Sequence, residues 1–244
     1  MTIHYGFDSL PENLRTVVTV GSFDGVHAGH RTLLDRLTTL ARRIEAESVV
    51  VTFEPHPRIA MGRAEGMKLL TLIEERALLL GRCGVSRVVV ARFDEEFRRQ
   101  SFESFVRDML IAKLGMVGMV VGYNHRFGRG NEGNFESLQP LGRELGFEVE
   151  RVEQYTDLGD KVSSTVVRDL MERGEVERAR EILGHPYIIM GSLVKGRLTV
   201  EDEYKLLPES GEYQACVNGR MSTIVVRDRE IFVQSSDKDI TIEL

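Results

Sequence analysis

Two histidines three residues apart, His27 and His30, lie in the run Gly21-Ser22-Phe23-Asp24-Gly25-Val26-His27-Ala28-Gly29-His30. The run follows the β-branched stretch Thr16–Val20 and precedes leucines at helical spacing, so it reads as a glycine turn leading from a strand into a helix. Such a turn presents backbone N–H groups and a helix N-terminus, and both favour an anion. Gly25 and Gly29 let a ligand approach the backbone closely. His27 and His30 can point together at one phosphate and donate hydrogen bonds to it as negative charge builds up. A satisfied pair of core or surface histidines is the bland alternative. The H-x-G-H spacing after a strand and a glycine turn favours the phosphate reading.

Three further segments carry chemistry-bearing residues. Glu54-Pro55-His56-Pro57 follows an apolar run, and its two prolines fix a rigid turn. With its histidine this turn could wall a flat ring, although a plain strand terminator has the same residues. Residues 122–133 (GYNHRFGRGNEG) are dense in glycine, aromatics and arginine. Arg126 and Arg129 suit phosphate, and Phe127 or Tyr123 suits packing on a ring; a solvated loop is the alternative. Finally, Ser163-Ser164-Thr165-Val166-Val167-Arg168 places serines before an apolar-periodic run, the pattern of a helix N-cap. The same N–H groups, hydroxyls and an arginine one turn along bind anions. Of the six histidines, only His4 and His185 fall outside these segments.

These loops need a scaffold that aligns them, and the hydrophobic pattern supplies one. Short apolar runs at 16–20, 48–53, 87–91, 116–121 and 147–152 alternate with helical patterns at 29–45, 72–83, 102–114 and 135–145. Alternation of this kind predicts parallel βαβ units. The nearly continuous apolar runs predict strands buried on both faces, giving an α/β fold with an open, doubly wound parallel sheet. Ligands in such sheets bind beyond the carboxyl ends of strands where the strand order reverses, and the first three segments follow strands. A helical pair is predicted at Ser164–Glu172 and 175–183, split by Gly174. From Tyr187 onward short alternating runs and the Asn218-Gly219 turn predict a small antiparallel β domain, with a second hairpin at 224–229 and 230–234. The expected domains are 1–186 and 187–244.

The formal net charge of −6 argues against nucleic acid as the main partner. Cys83 and Cys216 lack metal-ligand spacing, which predicts reduced thiols, no zinc site and a cytoplasmic protein. Residues 1–10 lack a signal-peptide pattern, and no apolar run approaches the ~18 residues needed to span a membrane.

The H-x-G-H segment resembles the signature of the nucleotidylyltransferase superfamily, whose members attack the α-phosphorus of a nucleoside triphosphate. Taken in order, GSFDGVHAGH, VTFEPHP, GYNHRFGRGNEG, SSTVVRDL and LGHPY resemble the bacterial bifunctional riboflavin kinase/FAD synthetase family over about residues 15–190. The resemblance implies a Rossmann-like nucleotidylyltransferase domain that transfers AMP from ATP to FMN, with Mg²⁺ on the triphosphate and FAD as product. It implies catalytic roles for His27, His30 and Arg168. It implies ATP binding by Gly21, Ser22, Phe23, Asp24, Gly29, Ser164 and Thr165, and flavin binding by Pro55, His56, Pro57, Asn124, Arg126 and Phe127. No protein metal ligand is expected, and Asp237–Asp239 reads as a solvated turn.

The family pattern breaks in the tail. The family's barrel is a riboflavin kinase whose glycine-arginine stretch leads into G-F-P-T-A-N. Here Gly196-Arg197 remains without P-T-A-N, and the chain ends at Leu244, short of the kinase length. The expectation is therefore a reduced barrel without kinase activity. Alternatives are transfer to another phosphorylated acceptor, or a non-catalytic flavin- or ATP-binding regulatory module.

Overall fold

Valine-rich runs build a parallel sheet from β1 (Thr2–Tyr5), β2 (Thr16–Val20), β3 (Glu47–Glu54), β4 (Arg87–Arg92), β5 (Met116–Gly122) and β6 (Glu148–Val152). In this computed structural model, which describes residues 1–157, 160–200 and 202–244 (without the side chains of 156–161), the strand order is β1-β4-β3-β2-β5-β6. β2 is buried at every position, as a strand covered on both faces must be. Its parallel neighbours are β3 and β5, so the strand order reverses there, and the carboxyl ends of β2 and β5 flank the switch point. This is the sheet the alternating pattern predicts, with one addition. β1 pairs with β4 from Thr2↔Arg87 to Tyr5↔Val90. Only His4 of its four residues is buried, so the strand is too short and too polar to register as an apolar run.

The chain divides into two compact units. The first comprises Met1–Phe23, Gly29–Glu65 and Leu79–Tyr155 and holds β1 to β6; the second comprises Asp24–Ala28, Gly66–Leu78 and Thr156–Leu244. In the first unit an aromatic cluster fills one side of the sheet. Phe105 packs edge-on against Phe97 and Phe127, with ring centroids 5.4 and 5.9 Å away. The helix predicted at 102–114 begins as a single turn, Phe102–Ser104, and widens into a π-helix at Phe105–Ile111. The wider turn buries Phe105, Val106 and Leu110. Helix Phe135–Leu145 has the predicted span and stops at Gly146; it starts at a capping box between Asn134 and Ser137.

In the second unit, a short antiparallel pair, β7 (Thr156–Asp157) and β8 (Asp160–Lys161), precedes the helices Ser164–Glu172 and Val176–Leu183. The chain then closes a barrel from β9 (Ile188–Val194), β10 (Arg197–Thr199), β11 (Gly211–Val217), β12 (Arg220–Arg227), β13 (Glu230–Phe232) and β14 (Asp239–Glu243), in the order β10-β13-β12-β11-β14-β9. Closure removes the exposed edges that a small sheet would otherwise present. The two-residue turns Asn218-Gly219, Asp228-Arg229 and Lys195-Gly196 all have positive φ at both positions, the twist that tight hairpins need. The first two are the predicted hairpins. The third folds Gly196 of the Gly196-Arg197 pair into a turn.

Gly115 joins the π-helix to β5 at φ +59, and a Cβ there would sit 1.8 Å from the carbonyl oxygen of Leu14. Both the backbone conformation and the contact exclude a side chain. Gly115→Ala should therefore lower stability by roughly 2–4 kcal/mol, read from the urea midpoint. An unchanged midpoint would show that the Leu14–Gly115 approach is looser than described.

Candidate active site

In the second unit the site is built around Asp24, which is 1% exposed. A carboxylate buried this deeply needs donors. Its Oδ1 accepts the N–H of Thr71 at 2.9 Å and the Thr71 hydroxyl at 3.1 Å. Its Oδ2 accepts the N–H of Leu70 at 3.1 Å and Nη2 of Arg168 at 2.5 Å. Burial alone would raise the Asp24 pKa. The charges of Arg76 and Arg168, with the Thr71 and Leu70 N–H groups, outweigh burial and hold it below the usual carboxylate range.

The backbone around Asp24 is fixed as firmly as its side chain. Ser164 Oγ donates to the Asp24 carbonyl at 2.8 Å, and the Gly25 N–H donates to Thr71 Oγ1 at 3.0 Å. His185 Nε2 lies 2.9 Å from the Gly25 carbonyl oxygen. Gly25 has φ +82, and a Cβ there would meet Leu70 Cδ1 at 2.7 Å, so only glycine fits. Arg168 is oriented by a second bond, from Nε to the Lys68 carbonyl at 2.7 Å. The turn is thus set by protein contacts alone, which is what a pre-organised anion site requires. His27 is 8% exposed. Burial pushes its pKa down to about 4, against the pull of Asp24, and leaves the imidazole neutral at pH 7.

The structure therefore gathers Asp24, Ser164 and Arg168, with His27 inside their electrostatic field. Helix Ser164–Glu172 is capped by Ser163, whose Oγ accepts the Val166 N–H. Thr165 is exposed on its first turn. The partners that sequence reading missed are Leu70, Thr71, Arg76 and His185. The available signal was Glu74-Glu75-Arg76, three adjacent charges inside the largely apolar stretch LLTLIEERALLL.

In the first unit the predicted residues sit beyond β2, β3 and β5. Gly21 N–H bonds the Val51 carbonyl at 3.0 Å, and the Ser22 carbonyl accepts the Thr52 hydroxyl at 3.1 Å. Phe23 is buried, with its ring centroid 5.1 Å from that of His30. Gly29 and His30 lie in the first turn of helix Ala28–Arg43. Beyond β3 the Glu54–Pro55 bond is cis, and Pro55 is exposed. His56 faces inward and caps the short helix Pro57–Ala60 by accepting the Arg58 N–H on Nδ1 at 3.2 Å. Beyond β5, Asn124 and Arg126 are exposed, whereas Phe127 is buried among Phe102, Phe105 and His125. His125 Nε2 is shut from solvent without a hydrogen-bond partner, and burial pushes this imidazole down to about 4.

A family model described as FAD synthetase matches residues 9–166. The bifunctional riboflavin kinase/FMN adenylyltransferase of Escherichia coli (strain K12) is 37% identical over 180 residues, covering 74% of this chain and 58% of that protein. The chain thus spans little more than half the length of that relative. A Listeria monocytogenes protein named FAD synthetase is 33% identical over 199 residues, covering 81% of this chain and 80% of its own. A solved structure described as a macrolide-efflux protein from Streptococcus pneumoniae superposes with a TM-score of 0.83 at 22% identity. It covers 99% of this chain and 89% of its own, a likeness of fold. No helix among the described residues is long and apolar enough to cross a membrane.

Two predictions follow from the charges. Arg168→Met leaves the buried Asp24 with one fewer cation and should cost roughly 3 kcal/mol of stability, measured by urea unfolding; a shift within error would mean that Arg168 does not support Asp24. The second concerns pH. His27 falls from its ordinary 6.5 to about 4 on folding, so between these values the unfolded chain binds more protons. Stability is complete above pH 6.5 and falls as pH drops toward 4, by up to about 3 kcal/mol for this histidine. Below that window protonation of Asp24 adds a further loss. His27→Gln should flatten the stability profile between pH 6.5 and 4.5, and an unaltered slope would contradict a buried neutral His27.

Proposed function

Because the chain belongs to the FAD synthetase family, we propose that it transfers AMP from Mg-ATP to FMN, yielding FAD and pyrophosphate, without riboflavin kinase activity. The observation that carries this reading is the turn at Asp24-Gly25, locked by Thr71, Ser164, Arg168 and Leu70, from which the chain runs on into the H-x-G-H segment. A turn fixed in advance can hold phosphate without reorganising as charge develops.

The chemistry asks little covalent work of the protein. An oxygen of the FMN phosphate attacks the α-phosphorus in line. One P–O bond forms, the bond from the α-phosphorus to the bridging oxygen breaks, and pyrophosphate leaves. No proton must be removed from a phosphate that is already ionised. His27, neutral at pH 7, and His30 donate hydrogen bonds to the triphosphate. Gly21, Ser22, Phe23 and Gly29 shape the ATP side, and Thr165 offers its exposed hydroxyl. The Ser164 hydroxyl and the Asp24 carboxylate are already engaged, so both act by holding the turn, and Arg168 acts beside them. Mg²⁺ enters on the triphosphate as part of the substrate. Among the described residues no group of three or more His, Cys, Asp or Glu is arranged to hold a metal.

Exposed Pro55, Asn124 and Arg126 are assigned to the flavin, with Pro57 beside them and inward-facing His56 and Phe127 supporting their loops. In the tail, Gly196 is used in a hairpin turn that leads directly into β10, where the kinase pattern would continue into P-T-A-N. Residues 1–186 then carry the transfer in a cytoplasmic enzyme, and 187–244 form the reduced barrel.

Purified protein with Mg-ATP should convert FMN to FAD and leave riboflavin unchanged, as read by chromatography. His27→Asn and His30→Asn should each lower kcat by about 10²–10³. FMN or FAD formed from riboflavin would overturn the kinase assignment, and no product from FMN would overturn the transfer itself.

A further inference from the structure

The barrel unit holds a lysine that the reaction does not use. Lys205 is 0% exposed, and its Nζ meets three acceptors, each at 2.7 Å: the Leu70 carbonyl, Glu75 Oε2 and the Ile188 carbonyl. Three acceptors satisfy the three protons of an ammonium. The amine also lies 4.5 Å from the centre of the Tyr187 ring. Glu75 is matched as closely, taking the Met190 N–H on Oε1 at 2.9 Å and the Leu72 N–H on Oε2 at 2.7 Å. The backbones are joined as well: Leu69 N–H donates to the Tyr204 carbonyl at 2.7 Å, and Leu206 N–H donates to the Leu69 carbonyl at 2.8 Å.

One of these contacts leads to the candidate active site. The carbonyl of Leu70 and the N–H of Thr71 belong to the same peptide group. Lys205 donates to the oxygen of that peptide at 2.7 Å, and its N–H donates to Asp24 Oδ1 at 2.9 Å. A cation at the oxygen end polarises the peptide and strengthens the bond its N–H makes to a carboxylate. We propose that Lys205 is a positioning residue for adenylyl transfer, acting on Asp24 through the single Leu70–Thr71 peptide, and that the reduced barrel serves to supply it.

The inference rests on the transferase reading and gives the barrel a defined task. Residues 188, 190 and 205 come from β9 and the segment before β11. They fix residues 70–75, and residues 70 and 71 fix Asp24. Arg168 then takes its orientation from Asp24 and from Lys68, whose Nζ donates to the Glu203 carbonyl at 2.8 Å. Any barrel change that moves Lys205 should reach the turn by this route, without touching nucleotide or flavin.

A double-mutant cycle tests it. Lys205→Met should lower kcat/KM for ATP by about 10–100-fold, by analogy with removing the partner that orients a metal ligand. In an Asp24→Asn background the same substitution should cost less than about 3-fold, because the route it acts through is already broken. Equal factors in both backgrounds would overturn the proposal, since a general loss of packing multiplies through. If Lys205→Met does not fold with Glu75 left uncompensated, Lys205→Met/Glu75→Gln removes both charges and is run through the same cycle. If the wild-type chain forms no FAD, the functional reading fails. The Lys205–Asp24 connection is then decided by urea midpoints of the same four proteins, where non-additive shifts support it and additive shifts overturn it.

Discussion

A carboxylate removed from water must be surrounded by donors, and the arrangement of those donors decides the shape of everything near it. Asp24 imposes that requirement on the second unit. Two backbone N–H groups, a hydroxyl and a guanidinium converge on it, and each brings its own segment: residues 70 and 71 directly, and helix Ser164–Glu172 through Arg168. Losing any one donor leaves a charge that burial penalises and no solvent relieves. The constraint is unforgiving, which makes it useful for a turn whose backbone must stay in place while a ligand's charge shifts.

The elements were legible where local physics decides them. β2 to β5 are apolar runs, and they fall where the runs predict. Helix Phe135–Leu145 begins and ends on its capping residues, and the Asn218-Gly219 hairpin is announced by its turn chemistry. β1 was not legible because an edge strand with one buried residue has no hydrophobic signature. The widening at Phe105–Ile111 was not legible either, because a helical period does not say which turn will open to seat buried side chains.

The candidate site was legible in a different measure. Motif residues stood out because glycine, histidine and proline are unusual at those spacings. Their supports did not, because Leu70 and Thr71 contribute backbone N–H groups that any residue carries. Glu75 and Lys205 look like ordinary surface charges until the fold buries them 130 residues apart in sequence. Side-chain identity also left structural uses unseen: His56 and Phe127 read as ring-facing residues, and in the fold one caps a helix and the other packs in a core. Chemistry-bearing residue types are recruited for structure as readily as for ligands, and only the contacts distinguish the two uses.

Charge balance links these supports to the ligand class. The chain as a whole carries a net charge of −6, which would repel a triphosphate. The groups around the turn are of the opposite sense: buried Arg76 and Lys205 and part-buried Arg168 against buried Asp24 and Glu75, leaving one positive charge in excess. A buried excess is screened far less than surface charge, so the local field outweighs the global one at short range. Adding a charged His27 to this cluster would place a further cation in a desolvated, already positive site, and burial there holds it neutral. A neutral imidazole does not compete with the arginines for Asp24. An excess cation together with a neutral imidazole suits an anionic ligand.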